Sequence, residues 1–259
     1  MCMASYRAAE ATFVTNIDNL DAAERMRLPG DRVVALPHAF DSEKFARFAQ
    51  RNGVRPPRTD GLAVFFTPTR QHWVDGDPGW AKGNDRVFAA LRLLKDAGLH
   101  CRLRSVAWGQ DLEASRARIA LLGIDDMVQW VPTMQKHQLW KEYLHADAAI
   151  DQFLIASFSG VTFEAMMLGR RVITNNDDRQ SQRFFGEAPP LFSCRTAENI
   201  AAAMRRVIED PSDLAGDGAA NRSWMERYHS ADRIVALQTA VYCRLVESPA
   251  VSSRVASVA

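Results

Sequence analysis

Two cations and one carboxylate in this sequence are placed where they could handle a charged ligand. Arg70 and Lys82 share the polar stretch TPTRQHWVDGDPGWAKGND, which follows the apolar run LAVFF. One is a planar fork and the other a point charge, a pairing suited to a diphosphate, although two basic residues in a polar loop equally fit solvated surface. Further on, SFSGVTFEAMMLG passes from a Ser/Gly turn into a short helix carrying Glu164. Ser157, Ser159 and Gly160 leave amide donors uncovered at that helix start, where the helix dipole favours an anion. Glu164 lies too far along to cap the helix. It could accept from the two hydroxyls of a ribose, or it could be an ordinary exposed helix glutamate.

Other candidates are weaker. His38 in PHAFD and His72 in RQHW are the histidines nearest expected strand ends, and structural or ligand-positioning roles suit them better than that of a base. Trp73 and Trp80 interleave with Asp75 and Asp77 and could form a lid or pack inward. No dinucleotide GxGxxG, Walker A, GxSxG or HExxH pattern occurs, which weighs against the chemistries those motifs serve. Cys2, Cys101, Cys194 and Cys243 have no metal-ligand spacing, so reduced, mostly buried thiols and a cytosolic setting are expected. No metal or other cofactor is expected.

The 259 residues carry a formal charge of +1, with 47% hydrophobic and 24% charged residues. That balance gives no electrostatic case for nucleic acid. No apolar run is long enough to span a bilayer, and MCMASYRAAE has no signal-peptide core.

Positioning these groups requires an α/β framework. LAVFF, CRLRSVAW, MVQWV, AAIDQF, RVITN and LFSC read as strands, alternating with helices near 85–96, 112–122, 135–145 and 197–208. That alternation predicts a doubly wound, Rossmann-like parallel sheet with a helical C-terminus, near 215–227 and 231–247. Ligands of such sheets bind beyond the strands' carboxyl ends. Arg70, Lys82, Gly109, Thr133 to Lys136 and Ser157 to Glu164 should therefore converge. ATFVTN and VVALPHAFD read as earlier strands, and Gln50 to Asp60 as loop. Residues 1–55 are expected to be the remnant of, or linker from, an N-terminal domain. The α/β domain is expected over 56–247, with a frayed, disordered tail at 248–259.

Together these stretches resemble the C-terminal, donor-binding half of GT-B fold, retaining glycosyltransferases of group 1, which use nucleotide-diphospho-sugars. VVALPHAFDSEKF is similar to the family's entry into this domain, and TR followed by KGNDRVFAAL to its diphosphate loop with an expanded insert. SFSGVTFEAMMLGRRVITN is the most specific match. The resemblance implies that Arg70 and Lys82 hold the diphosphate and stabilise the departing nucleotide, assisted by amides near Gly160, Val161 and Thr162. It implies that Glu164 binds the ribose and that Thr133 to Lys136 line the base. It departs at Ala156, where the family often carries a carboxylate facing the donor sugar. It also begins at Val33, leaving little chain ahead of it for the family's acceptor domain.

The expected activity is therefore retaining glycosyl transfer to a glycan, lipid or small-molecule acceptor. The chain is expected to be incomplete alone, completed by a missing N-terminal domain or partner subunit, and to be cytoplasmic, either free or peripheral at the inner membrane face. The alternative is a non-catalytic nucleotide-sugar- or carbohydrate-binding module. A GT-B epimerase is a third and weaker reading, since the further acid/base residues it would want are not identifiable in the sequence.

Overall fold

Strands that read as unbroken apolar runs are those covered on both faces, and the central strands here have that character. The computed structural model describes residues 2–55, 61–74, 80–211 and 214–247. The tail expected to fray, 248–259, lies outside them.

The chain opens with α1 (Cys2–Ala8), β1 (Thr12–Val14), α2 (Asp18–Arg25), β2 (Val33–Ala35) and α3 (Ser42–Asn52). β1 and β2 form a small parallel sheet of their own. There follow β3 (Ala63–Thr67), α4 (Asn84–Asp96), β4 (Cys101–Val106), α5 (Leu112–Leu122), β5 (Val128–Val131), α6 (Lys136–His145) and β6 (Ala148–Ile150). Then come α7 (Gly160–Met167), β7 (Arg171–Thr174), α8 (Asp178–Phe185), β8 (Phe192–Ser193), α9 (Ala197–Glu209), α10 (Leu214–His229) and α11 (Ala231–Glu247).

The larger sheet is parallel throughout, in the order β5-β4-β3-β6-β7-β8. The chain winds outward from β3 to β5, returns to the middle, and winds the other way from β6 to β8. The loops leaving β3 and β6 therefore diverge and open a crevice at the point of reversal.

Successive strand residues face opposite sides of the sheet. Phe65 packs with Leu91, Leu103 and Met204 on one side, while Phe66 packs with Tyr143, Met166 and Trp224 on the other. The second core also takes in Val14, Ile17, Phe45 and Ala49 from the N-terminal segment. Burying each phenylalanine ring contributes roughly 2–3 kcal/mol.

Two elements differ from the expectation. The stretch read as loop from Gln50 begins inside α3, which runs to Asn52. Asp41 caps that helix by accepting from the Lys44 amide at 2.9 Å, and Phe45 and Ala49 supply its buried face. Short α8 was also unforeseen; it is capped by Asp177, which accepts from the Arg179 and Gln180 amides. At the end of α7, Gly169 adopts φ +67° and meets Gly218 of α10 so closely that a Cβ on Gly218 would lie 2.2 Å from the Gly169 carbonyl oxygen. That backbone contact fixes where α7 stops.

His229 ties the N-terminal segment to α10. It is 1% exposed and sits 2.8 Å through Nδ1 from the His38 carbonyl oxygen, among Phe163, Phe185 and Trp224. Nδ1 must donate to that carbonyl, so the buried Nε2, which has no partner, is the bare nitrogen. Burial, reinforced by His38, pulls this imidazole down to about 4, against an opposing contribution from the carbonyl bond. The folded value lies below the unfolded one of 6.5, so the unfolded chain binds the extra proton first. Stability should accordingly fall by roughly 3 kcal/mol as pH drops from above 6.5 to below about 4. Urea denaturation across that range should show this slope, and His229→Gln should flatten it.

Candidate functional site

The loop after β3 is anchored before it carries any chemistry. Gln71 is fully buried; its amide side chain meets Ser105 and Ser115, and its backbone NH donates to the Trp108 carbonyl at 2.9 Å. Gly109 lies against this loop with φ +111°, and a Cβ there would stand 2.4 Å from the Gln71 carbonyl oxygen. Only glycine lets the turns after β3 and β4 approach this closely.

Arg70 leaves this anchored loop half-buried. Its guanidinium lies over the Trp80 ring at 5.2 Å and donates to the Trp80 carbonyl at 3.2 Å. Trp73 points inward instead, its indole NH donating to Ser115 Oγ at 2.8 Å and its ring meeting Phe88 edge-on. The two tryptophans therefore do not share a lid. Asp75 and Asp77 lie outside the described residues.

Lys82 is stitched between two loops. Its NH donates to the His72 carbonyl at 2.7 Å, and its carbonyl accepts from Phe153 NH at 2.8 Å. Its ammonium donates to Gln152 Oε1 at 2.5 Å. Burial lowers its pKa, Asp151 opposes that, and Arg70 lowers it further, so the two cations feel each other. A half-buried ammonium bonded to a neutral amide, with the Asp151 carboxylate acting on it from nearby, can take a further anionic partner.

Asp151, just past β6, organises the start of α7. Ser159 and Thr162 donate to its Oδ2 at 2.5 and 2.7 Å, and Thr69 reaches Oδ1 at 3.4 Å. Burial raises its pKa against the lowering effect of those bonds and of Lys82. Ser159 Oγ also accepts from Val161 NH at 3.0 Å, and the Thr162 amide serves Asp151. The expectation that the amides of Gly160, Val161 and Thr162 all await an anion is therefore narrowed. Val161 and Thr162 spend theirs on the cap and on Asp151, leaving the Gly160 NH uncommitted among the described residues.

Beside this helix start lies a cavity of about 460 Å³. Thr133, Lys136, Gly160, Val161 and Glu164 line it, with Val106, Trp108, Met134 and Leu139 as its apolar wall. Thr162 does not, being wholly buried with its hydroxyl turned to Asp151. Glu164 is no exposed helix glutamate: it is 6% exposed, pairs through Oε1 with the Lys136 ammonium, and accepts from Trp140 Nε1 at 3.1 Å. Arg70 and Lys82 stand outside the cavity; Lys82 feels the carboxylate of Asp151, to which Ser159 of the cavity wall donates. Neither the Trp140 bond nor the role of Asp151 as the hub of three hydroxyls has a signature in residue spacing. Asp151 was visible only as a carboxylate just after an apolar strand.

Among the described residues no group of three metal-ligating side chains occurs, and no helix is long and apolar enough to cross a membrane. Cys101 and Cys194 are buried, which pushes their thiols up to about 12 and about 11, whereas Cys243 is exposed.

A parallel sheet that reverses its winding at a crevice, with cations and a buried acid beside it, defines a doubly wound α/β domain with a ligand site at the expected place. Residues 78–224, more than half of the chain, match the family model described as glycosyl transferases group 1, and the chain belongs to that family. No curated protein matches the sequence. Among solved structures it is similar to a glycosyltransferase from Rickettsia africae at 16% identity and TM-score 0.69, covering 95% of this chain and 67% of that one. It is likewise similar to sucrose-phosphate synthase from Thermosynechococcus elongatus, at 16% identity and TM-score 0.66, covering 94% and 60%. HepE of Anabaena, solved with UDP and glucose, is similar at 15% identity and TM-score 0.67, covering 94% and 65%. The chain thus spans 60–67% of the length of these three structures, whose likeness establishes the shared fold.

Proposed function

We propose that this chain is the donor-binding half of a retaining glycosyltransferase that takes a nucleotide-diphospho-sugar. The observation that carries the reading is Glu164, a buried carboxylate in the wall of an apolar cavity beside the helix start at Gly160. Its two oxygens suit the paired hydroxyls of a ribose. Trp108, Val106 and Met134 suit the flat base, with Thr133 and Lys136 at its edge. The diphosphate then runs from the Gly160 NH toward Lys82 and Arg70, which offset the charge that grows on the departing nucleotide. Binding of UDP and glucose by HepE fits this division of the site.

On this reading residues 1–55 bridge to an acceptor domain supplied by further chain or by a partner subunit. The acceptor is a glycan, lipid or small molecule met in the cytoplasm or at the inner membrane face. Retention needs no protein nucleophile when the acceptor attacks from the face the nucleotide leaves. It accords with Asp151 being closed among hydroxyls and Glu164 being held by Lys136 and Trp140.

Calorimetry against nucleoside diphosphates tests the proposal, and absence of binding across uridine, guanosine, adenosine and cytidine forms would overturn it. Glu164→Gln should weaken a ribonucleoside diphosphate about tenfold, ~1.4 kcal/mol. It should leave the 2′,3′-dideoxy form nearly unaffected, because that ligand makes no bond for glutamate to strengthen.

A further inference from the structure

A second cavity, about 390 Å³, opens beyond the carboxyl ends of β7 and β8. Its wall is of another chemistry: Asn175, Asn176, Asp177, Asp178, Arg179 and Arg195, with Ala156 also in the lining. The two cavities share the short segment after β6, Leu154 and Ala156 lining one and Ser159 and Gly160 the other. Between them, Gln152 takes the Lys82 ammonium on its side chain, while its carbonyl accepts from Asn175 NH at 2.9 Å.

The charges in this second cavity are unevenly committed. Asp177 spends its carboxylate on the amides of α8, and Asp178 accepts from Asn176 Nδ2 at 2.7 Å. Arg179 and Arg195 line the opening and have no carboxylate partner among the described residues. Asn175 is 7% exposed; its Nδ2 donates to the Phe153 carbonyl at 3.2 Å, which aligns its amide plane. Asp177 and Asp178 keep their charge in this wall but are turned to the α8 amides and to Asn176, whereas the guanidiniums of Arg179 and Arg195 have no such partner among the described residues.

We propose, resting on the function above, that this cavity receives the glycosyl group of the donor and selects one bearing a carboxylate, as in a uronic acid. The nucleoside lies in the apolar cavity, the diphosphate passes Lys82, and the sugar enters the polar one. A guanidinium fork matches a carboxylate in a way it does not match a hydroxymethyl group.

The test titrates the full chain with UDP, UDP-glucose and UDP-glucuronate, and with GDP, GDP-mannose and GDP-mannuronate. In whichever series binds, the uronate donor should bind at least tenfold more tightly than the neutral one. The double variant Arg179→Gln/Arg195→Gln should abolish that preference while leaving affinity for the bare nucleotide unchanged. Both side chains are exposed, so an unaltered circular dichroism spectrum should accompany the loss. Equal affinity for uronate and neutral donors, or a preference that survives the double variant, overturns this inference alone. Failure of both UDP and GDP to bind overturns this inference, and only failure of all four nucleoside diphosphates overturns the glycosyl reading on which it rests.

Discussion

Replacing Lys82 with methionine should weaken binding of a nucleoside diphosphate about a hundredfold, ~2.7 kcal/mol. The side chain keeps its length but loses a half-buried positive charge whose present partner is the neutral Gln152. A charge-assisted bond to phosphate in that setting exceeds the net worth of an ordinary hydrogen bond. The nucleoside monophosphate should lose far less, because its single phosphate reaches no farther than the Gly160 amide. Equal losses for both ligands in calorimetry would place Lys82 away from the second phosphate. The depressed ammonium pKa adds a direction in pH. Lys82 sheds its proton below the usual 10.5, so diphosphate affinity should decline on the alkaline side earlier than for an ordinary lysine. The Lys82→Met variant should lack that decline.

Asp151→Ala should cost about 3 kcal/mol of folding stability, measured by urea denaturation. The hydroxyls of Ser159 and Thr162 and the Thr162 amide would lose their shared buried acceptor, and the first turn of α7 would lose its anchor. Asp151→Asn, which keeps an acceptor oxygen of the same reach, should cost markedly less. The titration of this acid runs opposite to that of His229. Its folded pKa is raised above 3.8, so the native state holds the proton more tightly than the unfolded chain. Stability contributed by Asp151 therefore rises as pH falls through the folded value, and is complete below 3.8. In Asp151→Asn this gain at low pH should be absent, while the loss due to His229 remains.

The main sheet was legible because its signals are local. Apolar runs alternating with helices capped or stopped at Gly83, Gly123, Gly169 and Thr196 mark out the strands and the doubly wound class, whereas the order in which the strands pair comes from the structure. Helix α3 was harder to see because its charged face and the nearby Arg/Pro-rich stretch mask a narrow apolar stripe of Phe45 and Ala49. At the site, the residues standing at strand ends were found, since the sheet brings every carboxyl end to one side. The partners were not. Whether Glu164 is exposed depends on Trp140, 24 residues away on another helix. Whether an amide at the start of α7 is free depends on where Ser159 and Asp151 turn. Those are tertiary facts, and no residue spacing encodes them.

The bond from Trp140 to Glu164 has an optical consequence. Indole emission responds to what its NH touches, and here that NH touches the carboxylate proposed to take the ribose. Trp140 is 7% exposed and packed against Phe45 and Phe48, so bulk water contributes little to its signal. A ligand drawing on Glu164 changes the electron density at the acceptor, and with it the colour and yield of one shielded fluorophore. With five other tryptophans in the chain, the difference in emission between the protein and its Trp140→Phe variant should report occupancy of the site without any label.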